Sequence, residues 1–179
     1  MKEVQKEFNN TLEVKKSKFI TYICPYSDFK TLMQKLKSNH TKARHFVYAY
    51  RYLNEFDQIV ENSSDDGEPK GTSGKPSLAV LSGANIINTA LIIVRYFGGT
   101  RLGTGGLVRA YSDAVNEVCS ISQFKTYEKL IQKTIQLEYS NLSKFEYKLN
   151  NLDIKIISKE FSSNIILILE ATQEKFNKL

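Results

Sequence analysis

The chain is poor in the residues that build cross-linked or metal-stapled domains. It has 179 residues but only two cysteines, Cys24 and Cys119, and only two histidines. The cysteines lie far apart and form no CxxC or cysteine–histidine cluster, so we predict neither a disulfide framework nor a structural zinc site. Hydrophobic residues make up 41% of the sequence. That proportion and the length suit one or two domains with a real core.

Long hydrophobic runs are also missing. No apolar stretch approaches the ~20 residues that a membrane helix needs. The first ten residues, MKEVQKEFNN, are polar and lack the apolar segment of a signal peptide. We therefore expect a cytoplasmic protein with no membrane partner.

Basic residues exceed acidic ones, and the net charge is +6, but no run of five basic residues occurs. Such an excess permits contact with nucleic acid or another polyanion without requiring it. The densest basic cluster is KKSK, with Lys15, Lys16 and Lys18. A lysine-rich surface is the favoured interpretation of these side chains.

Hydrophobic periodicity predicts an α+β first domain over residues 1–125. The continuous apolar run TALIIVRYF is typical of a strand buried on both faces. The predicted elements are one or two strands over 11–23, a helix over 28–38 with Ser27 or Asp28 as its cap, strands over 45–53 and 56–61, a short helix or alternatively a strand over 76–83, a strand over 89–97 and a helix over 107–119.

A second domain is predicted over residues 126–179, because all glycines and prolines precede it and the pattern then restarts. The expected order is a strand (130–139), a helix (141–151), two strands (153–160 and 163–171) and the start of a helix (172–179). This is most of a split β-α-β, or ferredoxin-like, unit. A complete unit needs one more strand, so we expect either a trimmed C-terminus or a last strand that is supplied otherwise.

Five of the nine glycines lie in the glycine–arginine segment, RYFGGTRLGTGGLVRAYSDAV, residues 95–115. A loop that ends at Gly105 and Gly106 and opens a helix presents free N–H groups to an anion. Arg95, Arg101 and Arg109 can add charge-assisted hydrogen bonds. The alternative is that the glycines only permit a tight crossover with close packing.

The common phosphate-binding motifs do not fit. Walker A fails around Gly74 and Lys75, because Pro69 stands where the first glycine belongs and Pro76 where the hydroxyl belongs. The dinucleotide fingerprint fails because Val108 replaces its third glycine.

The polar stretch 62–75 is predicted to be a long loop, and it carries Asp65, Asp66 and Glu68. Three carboxylates so close together can hold Mg²⁺ or act as acid and base. The favoured interpretations are a solvated turn and pairing with arginines of the glycine–arginine segment.

The alternating run HFVYAYRYL places Phe46, Tyr48, Tyr50 and Tyr52 on one face of a strand. Such a row can stack nucleobases, but packing under a helix is favoured. His45 is a site residue or a polar group at the strand end. No catalytic residue, metal or cofactor is predicted.

Four specific motifs occur in order in two stretches of the chain. DDGEP and G-T-x-G-x-P come first, and V-R-Y-F-G-G and L-G-x-G-G-L-V-R-A-Y follow. This combination closely resembles the IMPACT/YigZ family. KKSKFITYI and ARHFVYAYRY also fit, so the resemblance covers about the whole chain. The candidate binding residues are His45, Asp65, Asp66, Glu68, Gly71, Thr72, Arg95, Gly98, Gly99, Arg101, Gly103, Gly105, Gly106, Arg109 and Tyr111.

The resemblance implies a first domain like the second domain of a small-subunit ribosomal protein. It also implies a second domain like the C-terminal domain of elongation factor G, and a link to regulation of translation. The leading hypothesis is a module that binds RNA, the ribosome or a ribosome-associated protein. The alternatives are a protein–protein adaptor and an enzyme that acts on a phosphorylated or nucleotide substrate with Mg²⁺.

Overall fold

The computed structural model describes residues 1–179, which divide into two compact units, Met1–Tyr127 and Glu128–Leu179. Both units mix helices and sheets, which confirms the predicted α+β class. None of the helices combines the length and hydrophobicity of a membrane span.

The first unit contains seven strands and three helices. The strands are β1 (Lys2–Val4), β2 (Phe8–Val14), β3 (Ser17–Pro25), β4 (His45–Leu53), β5 (Ile59–Ser64), β6 (Thr89–Tyr96) and β7 (Phe124–Thr126). The helices are α1 (Phe29–Asn39), α2 (Gly74–Gly83) and α3 (Gly103–Ile121).

Five strands form an antiparallel sheet in the order β2-β3-β6-β4-β5. Its central strand, β6, is buried on both faces, as the apolar run predicts. Leu91 and Ile93 belong to the core with α2 and α3, whereas Ile92 and Val94 belong to the core with α1. Each such side chain contributes about 1.5–3 kcal/mol when it leaves water.

The predicted aromatic row also packs against a helix. Tyr48 and Tyr50 contact Phe29 of α1, with ring centres 5.2 and 5.4 Å apart. Tyr52 stacks on Tyr26 at 4.1 Å. The row is therefore part of the core on the α1 side, which confirms the favoured interpretation.

Four chain segments meet at one end of the five-stranded sheet. β6 ends at Tyr96, opposite Lys18 of β3, and next to His45 at the start of β4. β5 ends at Ser64, paired with β4 near that strand's start. The β2–β3 turn, the segment before β4, and the loops after β5 and β6 therefore share this end.

Several predicted boundaries are wrong. The strand predicted over 56–61 is β5, which runs from Ile59 to Ser64, and α2 begins at Gly74, so the polar loop covers only residues 65–73. α3 begins at Gly103 rather than after the glycine pair, because the positive φ of Gly103 turns the chain into the helix. Asp28 precedes α1 without capping it, since its carboxylate accepts a hydrogen bond from Ser27.

The segment that was predicted to separate the domains forms strand β7. Its Thr126 pairs with Lys2 of β1, so residues 124–127 belong to the first unit. Strands β1 and β7 are too short to show a hydrophobic period in the sequence.

The second unit is a three-stranded antiparallel sheet in the order β8-β10-β9. Its elements are β8 (Leu130–Leu137), α4 (Leu142–Asn151), β9 (Lys155–Phe161), β10 (Ile165–Thr172) and α5 (Gln173–Asn177). Leu149 of α4 and Phe176 of α5 pack with Leu167 and Leu169 of β10. The β-α-β-β order is the one that the sequence predicts.

Candidate functional site

Asp65 organises the loop between β5 and α2, which we call the acidic loop (residues 65–73). Its Oδ1 accepts hydrogen bonds from the Ser73 hydroxyl at 2.7 Å, the Gly74 amide at 2.8 Å and the Ser73 amide at 3.1 Å. Its Oδ2 accepts from the Gly71 amide at 2.7 Å. Burial alone raises the pKa of the Asp65 carboxyl, but these hydrogen bonds outweigh burial and lower it.

Asp66 joins the acidic loop to the start of β4. Its carboxylate accepts a hydrogen bond from the Phe46 amide at 2.6 Å, and its carbonyl oxygen lies 2.8 Å from Nδ1 of His45. A carbonyl oxygen only accepts, so Nδ1 carries the hydrogen in this contact. His45 is thus held at the strand end by the backbone of the acidic loop.

Glu68 is the charged centre of a buried cluster. Its Oε1 accepts hydrogen bonds from Arg95 at 2.5 Å and from the Tyr111 hydroxyl at 2.8 Å. The side chains of Glu68 and Arg95 are only 3% and 7% exposed. Burial, followed by the charge of Glu68, raises the pKa of Tyr111 far above its usual value, so this hydroxyl remains a donor.

This cluster confirms one predicted pairing between an acidic and a basic residue. Glu68 bonds Arg95, whereas Asp65 and Asp66 bond backbone groups and serine. The three carboxylates therefore shape the protein itself. No three His, Cys, Asp or Glu side chains of the chain are grouped to hold a metal ion.

Gly98 brings the loop after β6, residues 97–102, against the β2–β3 turn. A Cβ atom at Gly98 would lie 2.0 Å from the carbonyl carbon of Lys16, so no other residue fits there. The Gly98 amide also donates to the Ser17 hydroxyl at 3.1 Å. The close approach places Lys16 beside the loop that carries Arg101.

One cavity opens above the buried cluster. Its volume is about 350 Å³, within the usual range of ligand sites. The walls are mainly apolar, with Phe97 on one side and the start of α3 on another. The lining residues are Glu68, Pro69, Arg95, Phe97, Arg101, Leu102, Gly103, Thr104 and Leu107. We call this the Phe97 cavity.

A second, larger cavity of about 750 Å³ adjoins the first and is strongly basic. It shares Arg95, Phe97 and Arg101 with the Phe97 cavity. Lys42, Arg44, His45, Gly67 and Tyr96 complete its lining. We call it the basic cavity, since acidic side chains are absent from its walls.

A third cavity, of about 450 Å³, extends the positive surface toward the β2–β3 turn. It is lined by Lys16 and Lys18 and shares Phe97 with the other two. The sheet end thus carries five cations from three chain segments around one exposed aromatic ring. We define this basic surface as Lys16, Lys18, Lys42, Arg44 and Arg101, centred on Phe97.

The model of the Impact N-terminal domain family matches residues 15–119, which include every segment of this sheet end. The chain belongs to the IMPACT family. This confirms the resemblance drawn from the sequence motifs.

Curated relatives of this IMPACT chain span most of its length. It is 37% identical over 173 residues to an IMPACT family member of Haemophilus influenzae, covering 92% of this chain and 83% of the relative. It is 38% identical over 160 residues to the IMPACT family member YigZ of Escherichia coli, covering 87% and 78%.

A solved structure shares the fold of this IMPACT chain. That crystal structure, of a hypothetical protein, is 33% identical and superposes with a TM-score of 0.72. The match covers 99% of this chain and 87% of the solved one.

The candidate binding residues fall into two groups in the structure. Glu68, Arg95, Arg101, Gly103 and His45 line the two adjoining cavities. The remaining candidates support the backbone or lie outside both cavities. Asp65, Gly71 and Thr72 form the acidic loop, Asp66 bonds the start of β4, Tyr111 is buried behind Glu68, Gly98 packs on the β2–β3 turn, and Gly99, Gly105, Gly106 and Arg109 line neither cavity.

Sequence reasoning did not include Lys42, Arg44 or Phe97 among the candidate site residues. Arg44 had a usable signal, because it directly precedes His45 at the start of a strand. Phe97 had another, because a bulky residue between a buried strand and two glycines has no core to enter. Lys42 had none, since a single lysine in a helix–strand connection is ordinary.

Proposed function

We propose that this IMPACT family member binds RNA in the course of translation, through the basic surface. A single observation carries the proposal: five cations and an exposed phenylalanine converge at one sheet end from three separate segments. Lysine and arginine side chains neutralise phosphates, and aromatic rings stack with bases. A cytoplasmic location and the ribosome as the source of the RNA are parts of this proposal.

Charge complementarity supports RNA as the partner. The basic surface carries five positive charges, and the net charge of the whole chain is +6. The carboxylates of the acidic loop do not cancel this charge, because Glu68 is buried against Arg95, and Asp65 and Asp66 accept hydrogen bonds from the acidic loop and β4. The surface therefore presents a positive field to solvent, which attracts a polyanion.

The family resemblance supports translation as the setting, since it links IMPACT members to its regulation. No geometric observation favours the enzymatic alternative. The carboxylates that could hold Mg²⁺ or act as acid and base instead accept hydrogen bonds from the protein.

Arg101 and Arg109 offer a matched pair for testing the proposal. Both are exposed, and they lie eight residues apart, but only Arg101 lines the cavities. We expect Arg101→Ala to weaken co-sedimentation with ribosomes and to lower the salt slope of binding by about one phosphate contact. We expect Arg109→Ala to bind like the wild-type protein across the same salt series.

Both substitutions should leave the fold intact, because exposed side chains away from special features change stability by about 0.5 kcal/mol or less. Thermal unfolding of both variants checks this. If the wild-type protein does not bind ribosomes or ribosomal RNA even at low salt, the proposed function is wrong. An equal loss of binding in both variants would show that RNA does not bind at the basic surface.

A further inference from the structure

Two cavities of different chemistry meet at Phe97. The Phe97 cavity is mostly apolar, with Pro69, Leu102 and Leu107 in its walls. The basic cavity adds Lys42 and Arg44 to the arginines that both share. A ligand that fills both must carry an apolar, flat group directly beside an anionic group.

Phe97 itself is suited to stacking. Its side chain is 60% exposed, although it directly follows strand β6, whose residues 89–95 are buried. The guanidinium of Arg95 lies 6.0 Å from the centre of the Phe97 ring, and its ion pair with Glu68 fixes its position. The Phe97 ring therefore has a rigid neighbour. An exposed aromatic ring with a rigid support binds a nucleobase at little conformational cost.

Arg95 has unused hydrogen-bonding capacity next to the cavities. It is buried, and its Nε has no hydrogen-bond partner in the protein. A buried donor without a partner is costly and calls for a ligand or a water molecule. The start of α3 adds further donors, because no side chain caps this helix and Gly103 and Thr104 line the Phe97 cavity.

We propose that this site holds an unpaired nucleotide of RNA, with its base in the Phe97 cavity and its phosphates in the basic cavity. The inference rests on the proposed function and makes it more specific. A base within a duplex is stacked on its neighbours and cannot enter the Phe97 cavity. The ligand class is therefore single-stranded RNA, at a loop, a bulge or an end.

The test compares three fluorescent probes on the full chain by anisotropy at low salt. The probes are a single-stranded ten-nucleotide RNA, the blunt duplex of the same sequence, and a strand of equal length without bases. We expect the single strand to bind about tenfold or more tightly than the other two, because stacking contributes strongly for each base.

A matched pair of phenylalanines tests the role of the ring. Phe97→Leu keeps an apolar side chain but removes the aromatic face, and we expect it to weaken binding of the single strand about tenfold. Phe56→Leu is the control, because Phe56 is 72% exposed and lines none of the three cavities. The Phe97→Leu variant should bind the strand without bases as well as the wild type does.

Equal binding of all three probes, or wild-type affinity of Phe97→Leu, would overturn the unpaired nucleotide. If ribosome binding still depended on Arg101 in that case, the proposed function would stand without this refinement. Failure of every probe and of ribosomes to bind the wild-type protein would remove both.

Discussion

The acidic loop and the loop after β6 lie at the same sheet end but use their polar groups in opposite directions. In residues 65–73, the carboxylates turn toward the protein and accept hydrogen bonds from amides, serine, tyrosine and arginine. In residues 97–102, Phe97 and Arg101 turn outward and line cavities. One loop supplies a scaffold, and the other supplies a surface.

The contrast shows why charged residues in a motif need not contact a ligand. A carboxylate next to several backbone amides gains more from them than from solvent, because hydrogen bonds to a charged group are among the stronger ones. Arg101 lies next to an ion pair that is already neutral, and its side chain remains exposed. Because the acidic residues of the motif face the protein, the charges that remain at the surface are positive.

The largest loss of stability is expected where the backbone of the loop after β6 contacts the β2–β3 turn. Gly98→Ala should lower the free energy of unfolding by more than about 4 kcal/mol, because the new methyl group overlaps the backbone of Lys16. Gly105→Ala is the control, since nothing lies within 4 Å and alanine favours a helix by up to about 1 kcal/mol. Urea unfolding followed by circular dichroism measures both, and equal stability of the two variants would contradict the contact.

The next effect concerns the buried ion pair between the loops. Glu68→Gln should destabilise the protein by about 3 kcal/mol, because it leaves the buried Arg95 without a counter-charge. Glu61→Gln is matched to it, since Glu61 pairs with Arg51 at the same 2.5 Å but is 38% exposed. Its expected cost is smaller, because Arg51, although itself buried, also donates hydrogen bonds to the carbonyl oxygens of Leu81 and Ile86.

Denaturant unfolding of the two glutamine variants should therefore differ clearly. A Glu68→Gln variant no less stable than Glu61→Gln would show that Arg95 finds another partner. The cluster would then not fix the acidic loop.

A smaller effect is expected at Asp65. Its pKa is lower in the folded state than in the unfolded chain, so its contribution is present above pH 4 or so and is lost as pH falls through the folded pKa. Asp65→Asn should cost about 2 kcal/mol at neutral pH, because the hydrogen bonds lose their charge. The cost should shrink as pH falls through the lowered pKa of Asp65, and a cost independent of pH would contradict this role.

Sequence reasoning succeeded where a pattern is local. The apolar run of β6, the helical spacing of Leu32 and Leu36 in α1, and the β-α-β-β order of the second unit all appear in the structure. Each depends on side chains a few residues apart, which share one face of a strand or helix. The boundary errors fall where short polar stretches carry no periodicity, at β1, β7 and the end of β5.

The candidate site was predictable only in part. The two loops of the motif lie at one sheet end, and Glu68 pairs with an arginine, as the charge pattern predicts. The motif did not tell which carboxylates face inward, because this depends on Gly71, Ser73 and Gly74 approaching Asp65 after folding.

By itself, the sequence determined the family, the α+β class and the buried central strand, because these depend on local spacing and on contiguous motifs. Only the tertiary structure decided the composition of the basic surface. Lys16, Lys42, Arg44 and Arg101 are far apart in the chain and become neighbours because β6 pairs with both β3 and β4. The order of strands in a sheet is a non-local property, and it brings strand ends together that no sequence window contains.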